Sequence, residues 1–290
     1  MASSPLRSKS HYHVRSISLT SRSHPLIPQF NEHLCRLRSS EGTSISNRVS
    51  GLEDLYDCVE DLLLLPHTQQ ALAQESHKKV VDAALDGYLK LLDACGAVKD
   101  IFSQTKEDVQ QLLSSLRRKR DAGNFGGFLA SRKKVQKLIK KLLKDLKGTG
   151  EQGMLPDFMD KDQEYVAIAS MLKAAEAVAL SLLGSFLLHA AGTKLQSRPN
   201  RWSLMCKLIH HKSNVASQAN QMTFTEFQEI DAAVQSFMLS GKYDDKKTIE
   251  TVQNQMGKLE LSIQGLEEDV ERLIRRLIKT RVSLLNIMNH

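Results

Sequence analysis

The stretch "IETVQNQMGKLELSIQGLEEDVERLIRRLIKTRVSLLNIMNH", residues 249–290, decides the fold of this chain. Its core-type positions alternate spacings of three and four throughout, and Thr280 is the one position in the series that is not apolar. The series is Ile249, Val252, Met256, Leu259, Ile263, Leu266, Val270, Leu273, Leu277, Thr280, Leu284 and Ile287. This heptad predicts a single long helix over about residues 246–289, which would span about 60 Å at 1.5 Å per residue.

The two halves of this helix differ in the width of their apolar stripe. In residues 249–266 the stripe is narrow and Gln253, Glu260 and Glu267 flank it, which predicts a half that projects or pairs with a partner. The candidate partner-helix contacts are Ile249, Val252, Met256, Leu259, Ile263 and Leu266. Beyond residue 273 the stripe widens, which predicts burial among several helices. The extra apolar positions are Ile274, Ile278, Leu285 and Met288.

A leucine run interrupted by proline, "LLLLPHTQQAL" at residues 62–72, gives the second strong signal. The residues before it carry apolar side chains at helical spacing from Ile45 to Leu62, with acidic residues opposite. A membrane span needs roughly 20 apolar residues, so we interpret the leucines as a core contact. Pro66 is predicted to stop the helix, and Thr68 is predicted to cap the next one.

Residues 131–147 form a basic amphipathic helix, with Ser131 as its predicted cap. Its apolar positions are Val135, Leu138, Ile139, Leu142, Leu143 and Leu146. Its cations are Arg132, Lys133, Lys134, Lys137, Lys140, Lys141, Lys144 and Lys147. Asp145 is the only acidic residue there, so this segment alone carries eight cations less one anion, which equals the formal net charge of +7 of the whole chain.

This cationic side has two interpretations. It is either the solvated outside of a bundle helix or a surface that binds anionic lipid or an acidic partner. The candidate contacts are Lys133, Lys134, Lys137, Lys140, Lys141 and Lys144.

Three further segments organise the chain. "DAGNFGG", residues 121–127, is predicted to be a helix end and loop rather than a phosphate cradle, because no GK[ST] follows it. Residues 148–160 read as a glycine-bearing linker. Residues 177–188 are apolar on all sides but short for a bilayer, which favours the most buried helix of the bundle over a membrane hairpin.

The composition favours helices and offers no catalytic pattern. Aromatic residues make up 5% of the chain and apolar residues 41%, and the four cysteines are far apart without a CxxC pair. We infer reduced thiols, no metal, no cofactor and no enzyme activity. Residues 1–30 are rich in Ser, Arg and His, which predicts either a disordered tail or a cleaved transit peptide. The predicted fold is therefore all-α: a tail over residues 1–30 and a multi-helix bundle over residues 31–290.

Several blocks together resemble a plant-specific family of unknown biochemical function, often called Bypass. They are "SRSHP" (21–25), "LYDCVEDLLLLPHTQQAL" (55–72), "LLDACGAVKDIF" (91–102), "RWSLMCKLIHHK" (201–212) and "RRLIKTRVSLLNIMNH" (275–290). In that family a Phe often precedes the Arg-Arg pair, where this chain has Ile274. The resemblance implies a land-plant protein linked to root and shoot development, and it supplies no catalytic residues.

Two functions compete on these grounds. The first is a non-enzymatic helical protein that interacts with a protein partner or with itself. The second is a peripheral membrane protein that binds anionic lipid through residues 131–147. Nucleic acid is disfavoured because no aromatic residues interleave with the lysines, and no small-molecule substrate is inferred. The expected location is the cytoplasm, at the membrane periphery if lipid is bound, or a chloroplast or other organelle if the tail is a transit peptide.

Overall fold

The structure is a computed structural model that describes residues 26–40, 43–74, 77–118, 123–151, 163–192, 225–240 and 246–289. Within these ranges it contains eight α-helices and no strand, which confirms the predicted all-α bundle. The helices are α1 (Leu26–Ser39), α2 (Ile45–Leu63), α3 (Pro66–Leu72), α4 (Lys78–Arg117), α5 (Gly123–Glu151), α6 (Gln163–Ala190), α7 (Glu226–Ser240) and α8 (Lys246–Asn289).

The two longest helices, α4 and α8, form the framework of the bundle. Gln110 Nε2 donates to Glu260 Oε1 at 2.6 Å, and Lys99 Nζ lies 2.8 Å from Glu271 Oε1. Residue numbers fall along α4 as they rise along α8, so the two helices run antiparallel. The heptad positions of α8 face inward, and all of them are buried except Ile249, which is half-buried.

Helix α2 packs against a second side of α8, and the two run parallel. Ser46 Oγ donates to Asp269 Oδ2 at 2.6 Å, and Ser283 Oγ donates to Glu60 Oε2 at 3.0 Å, so residue numbers rise together along both helices. The carboxyl-terminal half of α8 is therefore held between α2 and α4, in agreement with its wide apolar stripe. Ile278 departs from that pattern, because 48% of its surface is exposed.

Helix α6 lies at the centre of the bundle, against helices α1 to α5. Ala175, Ala179, Leu183 and Phe186 are fully buried in it. Among the described helices this is the one whose length and apolar composition would allow it to cross a membrane, over Tyr165–Ala190, and half of its most apolar window is buried in the protein. These contacts place α6 inside the bundle, and that residues 177–188 belong to its most buried helix stays a prediction.

The proline after the leucine run starts a helix as well as ending one. Helix α2 ends at Leu63, Leu65 is extended, and Pro66 occupies the first turn of α3, where its missing N–H costs no hydrogen bond. The prediction that Thr68 caps this helix is wrong. Thr68 lies inside α3 and is fully buried, and no side chain caps the start of α3.

Two predicted boundaries also differ from the structure. Helix α5 starts at Gly123, not at Ser131, so Gly123 to Gly127 are helical. Buried Phe125 packs on Phe237 of α7 with ring centroids 4.6 Å apart, and this contact outweighs the low helix propensity of glycine. Ser131 instead donates a hydrogen bond to Asp108 of α4.

The predicted tail ends earlier than residue 30. Leu26 already belongs to α1, and Phe30 is 1% exposed within the core. Residues 1–25 lie outside the described part of the chain, as do most of the predicted linker at 148–160 and the block at 201–212.

Candidate functional site

The candidate site is the outer side of α5, which we call the lysine face. Its members are Lys133, Lys134, Lys137, Lys140, Lys141, Lys144 and Lys147, and all seven side chains are exposed. They follow one another at helical spacing, so they occupy one side of the helix over about 21 Å. The face contains all six of the lysines predicted from the sequence as contacts.

None of the seven lysines makes a hydrogen bond or ion pair with another described residue. The bundle does pair charges elsewhere. Arg272 Nη2 lies 2.6 Å from Glu53 Oε2, and Lys106 Nζ lies 2.9 Å from Glu267 Oε2. No acidic side chain of the described neighbouring helices therefore pairs with the lysine face.

The rest of α5 anchors this face to the bundle. Val135 and Ile139 are buried on the opposite side, and Phe125 and Phe128 bury the first turns. Helices α4, α6 and α7 cover these apolar residues. The inner side of α5 is therefore not available to insert into a lipid bilayer.

Arg132 belongs to this anchor, so the prediction that it lies on the cationic side of the helix is wrong. Only 2% of its side chain is exposed. Its Nε donates to Asp231 Oδ1 at 3.1 Å and its Nη2 to Asp231 Oδ2 at 3.0 Å. Nη2 also donates to the carbonyl of Ala190 at 3.2 Å, and the guanidinium carbon lies 5.3 Å from the centre of the Phe227 ring. One side chain thus links α5 to the end of α6 and to α7.

The sequence contained a signal for this position. Arg132 precedes Val135 by three residues and Ile139 by seven, so helical spacing places it with the apolar side. Leu138 departs from its prediction in the opposite direction. It was expected on the apolar face, yet it is 46% exposed and lies one turn from Lys134 and Lys141. The outer side of α5 therefore carries one accessible leucine among its lysines.

The predicted partner-helix contacts lie inside this chain. Val252, Met256, Leu259 and Ile263 are at most 2% exposed, Leu266 is buried and Ile249 is half-buried. This half of α8 does not project, since α4 runs alongside it. The heptad side chains of α8 are covered by other helices of the same chain. A partner helix would have to displace α4 to reach them.

The acidic side of α2 is also used internally. Arg276 holds Asp57 through two hydrogen bonds, one of them 3.1 Å long, and buried Glu60 accepts from Ser283. Asp54 and Asp61 remain exposed, as expected of a solvated stripe. Glu53 accepts hydrogen bonds from Arg272, and this is the main reason that its pKa is held below the ordinary value.

The described side chains form no candidate metal centre, and among their cysteines Cys35 is exposed while Cys58 and Cys95 are buried. No group of three or more His, Cys, Asp or Glu side chains in the described ranges is placed to hold a metal ion. Burial raises the pKa of the Cys95 thiol to about 12 and, with neighbouring carboxylates, raises that of Cys58. Thiols of this kind stay protonated at neutral pH and are poor nucleophiles.

These features define an all-α helical bundle that, in its described part, exposes an unpaired cationic face and no catalytic constellation. The chain belongs to the family described as Protein BPS1, which matches residues 48–287, from the first turn of α2 to the last turn of α8. This match confirms the resemblance to the Bypass-like family. Comparison with curated proteins and with solved structures gave no match. Membership supports a protein related to plant development, and the family has no established biochemical function and no known catalytic activity.

Proposed function

We propose that this protein is a non-enzymatic helical protein that associates with the anionic surface of a membrane through the lysine face. The observation that carries the proposal is the set of seven exposed lysines of α5 without an acidic partner among the described residues. A lysine close to an anionic leaflet contributes about 1 kcal/mol, so a few simultaneous contacts suffice for reversible binding. The protein would then act in the cytoplasm at the membrane periphery.

The packing of α5 determines how such binding works. Val135 and Ile139 are buried, and Leu142, Leu143 and Leu146 are partly buried against the core, so the helix cannot sink into the lipid as an isolated amphipathic helix does. Binding depends on charge, and the exposed Leu138 adds an apolar contact beside the lysines. Electrostatic association of exposed charges weakens as salt shortens the Debye length from about 10 Å at 0.1 M to about 3 Å at 1 M.

An acidic protein is the competing partner, and two features favour lipid. The exposed cations are lysines, which are compact point charges, while discrete carboxylates are best recognised by the planar fork of arginine. The seven lysines also lie along a ridge, which suits an extended anionic surface. Nucleic acid is disfavoured because the described outer side of α5 carries no aromatic side chain for stacking.

Sedimentation with vesicles tests the proposal. The whole chain is mixed with phosphatidylcholine vesicles, with or without phosphatidylserine, at low and high salt. We expect pelleting only with phosphatidylserine and release at high salt. Replacing Lys133, Lys137, Lys140, Lys141 and Lys144 with Gln should abolish pelleting.

A matched control removes the same number of charges elsewhere. Replacing Lys78, Lys79, Lys90, Lys247 and Lys258, all exposed and outside the lysine face, with Gln should leave pelleting unchanged. Equal pelleting of the two variants would mean that net charge, not the lysine face, is responsible. A parent protein that stays in solution with every vesicle would contradict membrane association and leave an acidic protein as the partner to seek.

A further inference from the structure

The seam between α4 and α8 changes character along its length. Over α4 residues 99–110 the outer edge is polar: Lys99 pairs with Glu271, Lys106 with Glu267, and Gln110 donates to Glu260. These contacts close the seam with opposite charges.

The other end of the same seam is largely apolar. Each step down α4 matches a step up α8, so Leu89, ten residues before Lys99, lies level with the half-buried Arg281, ten residues after Glu271. There Leu89, Ile278 and Val282 are 44%, 48% and 48% exposed. Leu92 and Leu285 are half-buried between them. We call these five residues the apolar seam, and such a contiguous exposed patch is typical of an interaction surface.

Charges of opposite sign line the two outer rims of the apolar seam. On α4, Asp86 and Asp93 lie one turn before and after Leu89, and both are exposed without a partner among the described residues. On α8, Arg275 and Lys279 lie one turn before Ile278 and Val282. Arg275 is exposed, and Lys279 is 57% exposed with its Nζ 4.0 Å from Glu60. The α4 rim also carries the exposed Lys90 between Asp86 and Asp93, so that rim has a net negative charge, while the α8 rim is positive.

We propose that the apolar seam binds a second copy of this chain, related by a two-fold axis parallel to α4 and α8. In this arrangement α4 of each copy faces α8 of the other. Leu89 of one copy then packs against Ile278 and Val282 of the second copy. The acidic rim then meets a basic rim twice. Asp93 lies level with position 277, so it falls between Arg275 and Lys279 of the second copy.

Charge complementarity selects this arrangement. A two-fold axis across the helices would place α4 on α4 and α8 on α8, and like charges would then oppose each other along both rims. A surface that is acidic on one rim and basic on the other is complementary to itself, which is the requirement of an isologous contact. Helix α5 borders the acidic rim, because Asp93 lines a groove that α4 forms with Leu142, Asp145 and Leu146 of α5.

Light scattering coupled to size-exclusion chromatography tests the proposal on the whole chain. We expect a concentration-dependent mass that approaches twice the chain mass of 32.5 kDa. The double variant Ile278→Glu with Val282→Glu should run at the single-chain mass. Both positions are half exposed, so its thermal melt should stay cooperative. Leu261→Glu is the control, because Leu261 is 72% exposed on the same helix but lies far from the seam, and it should still dimerise.

A charge swap tests the orientation. Asp93→Arg should weaken association by placing three cations together, and Arg275→Asp with Lys279→Asp should weaken it from the other rim. The three substitutions in one chain should restore the dimer. A single-chain mass at every concentration, or a dimer that survives the Ile278 and Val282 substitutions, would overturn the proposal, and a swap that fails to restore the dimer would overturn the parallel axis.

Discussion

The buried ion pair between Arg132 and Asp231 should be strongly coupled, and the coupling can be measured with two substitutions. Asp231→Leu leaves a guanidinium that is 2% exposed, and within the described part of the chain the carbonyl of Ala190 is its remaining hydrogen-bond acceptor. Removing one partner of a buried pair costs about 3–5 kcal/mol, because the other charge stays desolvated and uncompensated. We therefore expect Asp231→Leu to remove a large part of a stability of about 5–15 kcal/mol.

The opposite substitution should cost less. Arg132→Met keeps most of the side-chain volume, and the carboxylate it leaves behind is 19% exposed, with Gln136 Nε2 at 3.5 Å from its Oδ2. Water and Gln136 can then solvate Asp231, so we expect a loss of about 1–3 kcal/mol. The double variant leaves no buried charge, and it should be more stable than Asp231→Leu alone.

Urea unfolding followed by far-ultraviolet circular dichroism gives the three free energies of unfolding. The expected coupling energy between the two sites is at least about 2 kcal/mol. Unchanged m-values would show that the variants unfold from comparably compact states. If the two losses simply add in the double variant, the pair does not stabilise the junction of α5, α6 and α7, and the role assigned to Arg132 is wrong.

Three further outcomes follow from burial and hydrogen bonding. Leu259→Asp and Leu277→Asp should lower the melting temperature to a similar degree, since both leucines are fully buried. A mild effect of Leu259→Asp would instead support a first half of α8 that projects from the bundle. Hydrogen bonds from Arg272 lower the pKa of Glu53, so the folded state favours the carboxylate. This contribution to stability is complete above the ordinary pKa of 4.5 and is lost as the pH falls through the lowered pKa. In acid titrations, Glu53→Gln should therefore lose less stability than the parent. Thr280→Val should raise the free energy of unfolding by about 1 kcal/mol in urea melts, because the buried Thr280 hydroxyl oxygen has no hydrogen-bond partner in the described part of the chain. A lower free energy of unfolding would mean that the hydroxyl stabilises the protein through a contact not described above.

Periodicity predicted the elements of this fold better than it predicted their neighbours. The heptad of α8 requires apolar contact along one side, and every heptad position from Val252 to Ile287 is indeed buried. The pattern does not show whether the cover comes from the same chain. The narrow stripe of residues 249–266 therefore predicts a half that projects or pairs with a partner, although α4 of the same chain runs alongside it.

Local propensity failed where distant contacts decide the conformation. Glycines at residues 123–127 predicted a loop, yet Phe125 packs against Phe237, which lies more than a hundred residues further along the chain. In the candidate site, helical spacing identified the exposed lysines correctly. Helical spacing also predicts that Arg132 faces the core with Val135 and Ile139. The number of cations in the segment does not show which of them faces inward.

The parallel packing of α2 on α8 has a consequence for synthesis on the ribosome. Ser46 and Asp269 form a hydrogen bond although they are 223 residues apart in the sequence. At about 5–20 residues per second, on the order of 10–45 s pass between the translation of these two residues. For most of that time Leu55 and Val59 of α2 and, once they are themselves translated, Val98 and Phe102 of α4 lack the helix that follows last in the described chain. Chaperones that bind exposed leucine-rich and valine-rich segments therefore have a long interval in which to act on the nascent protein.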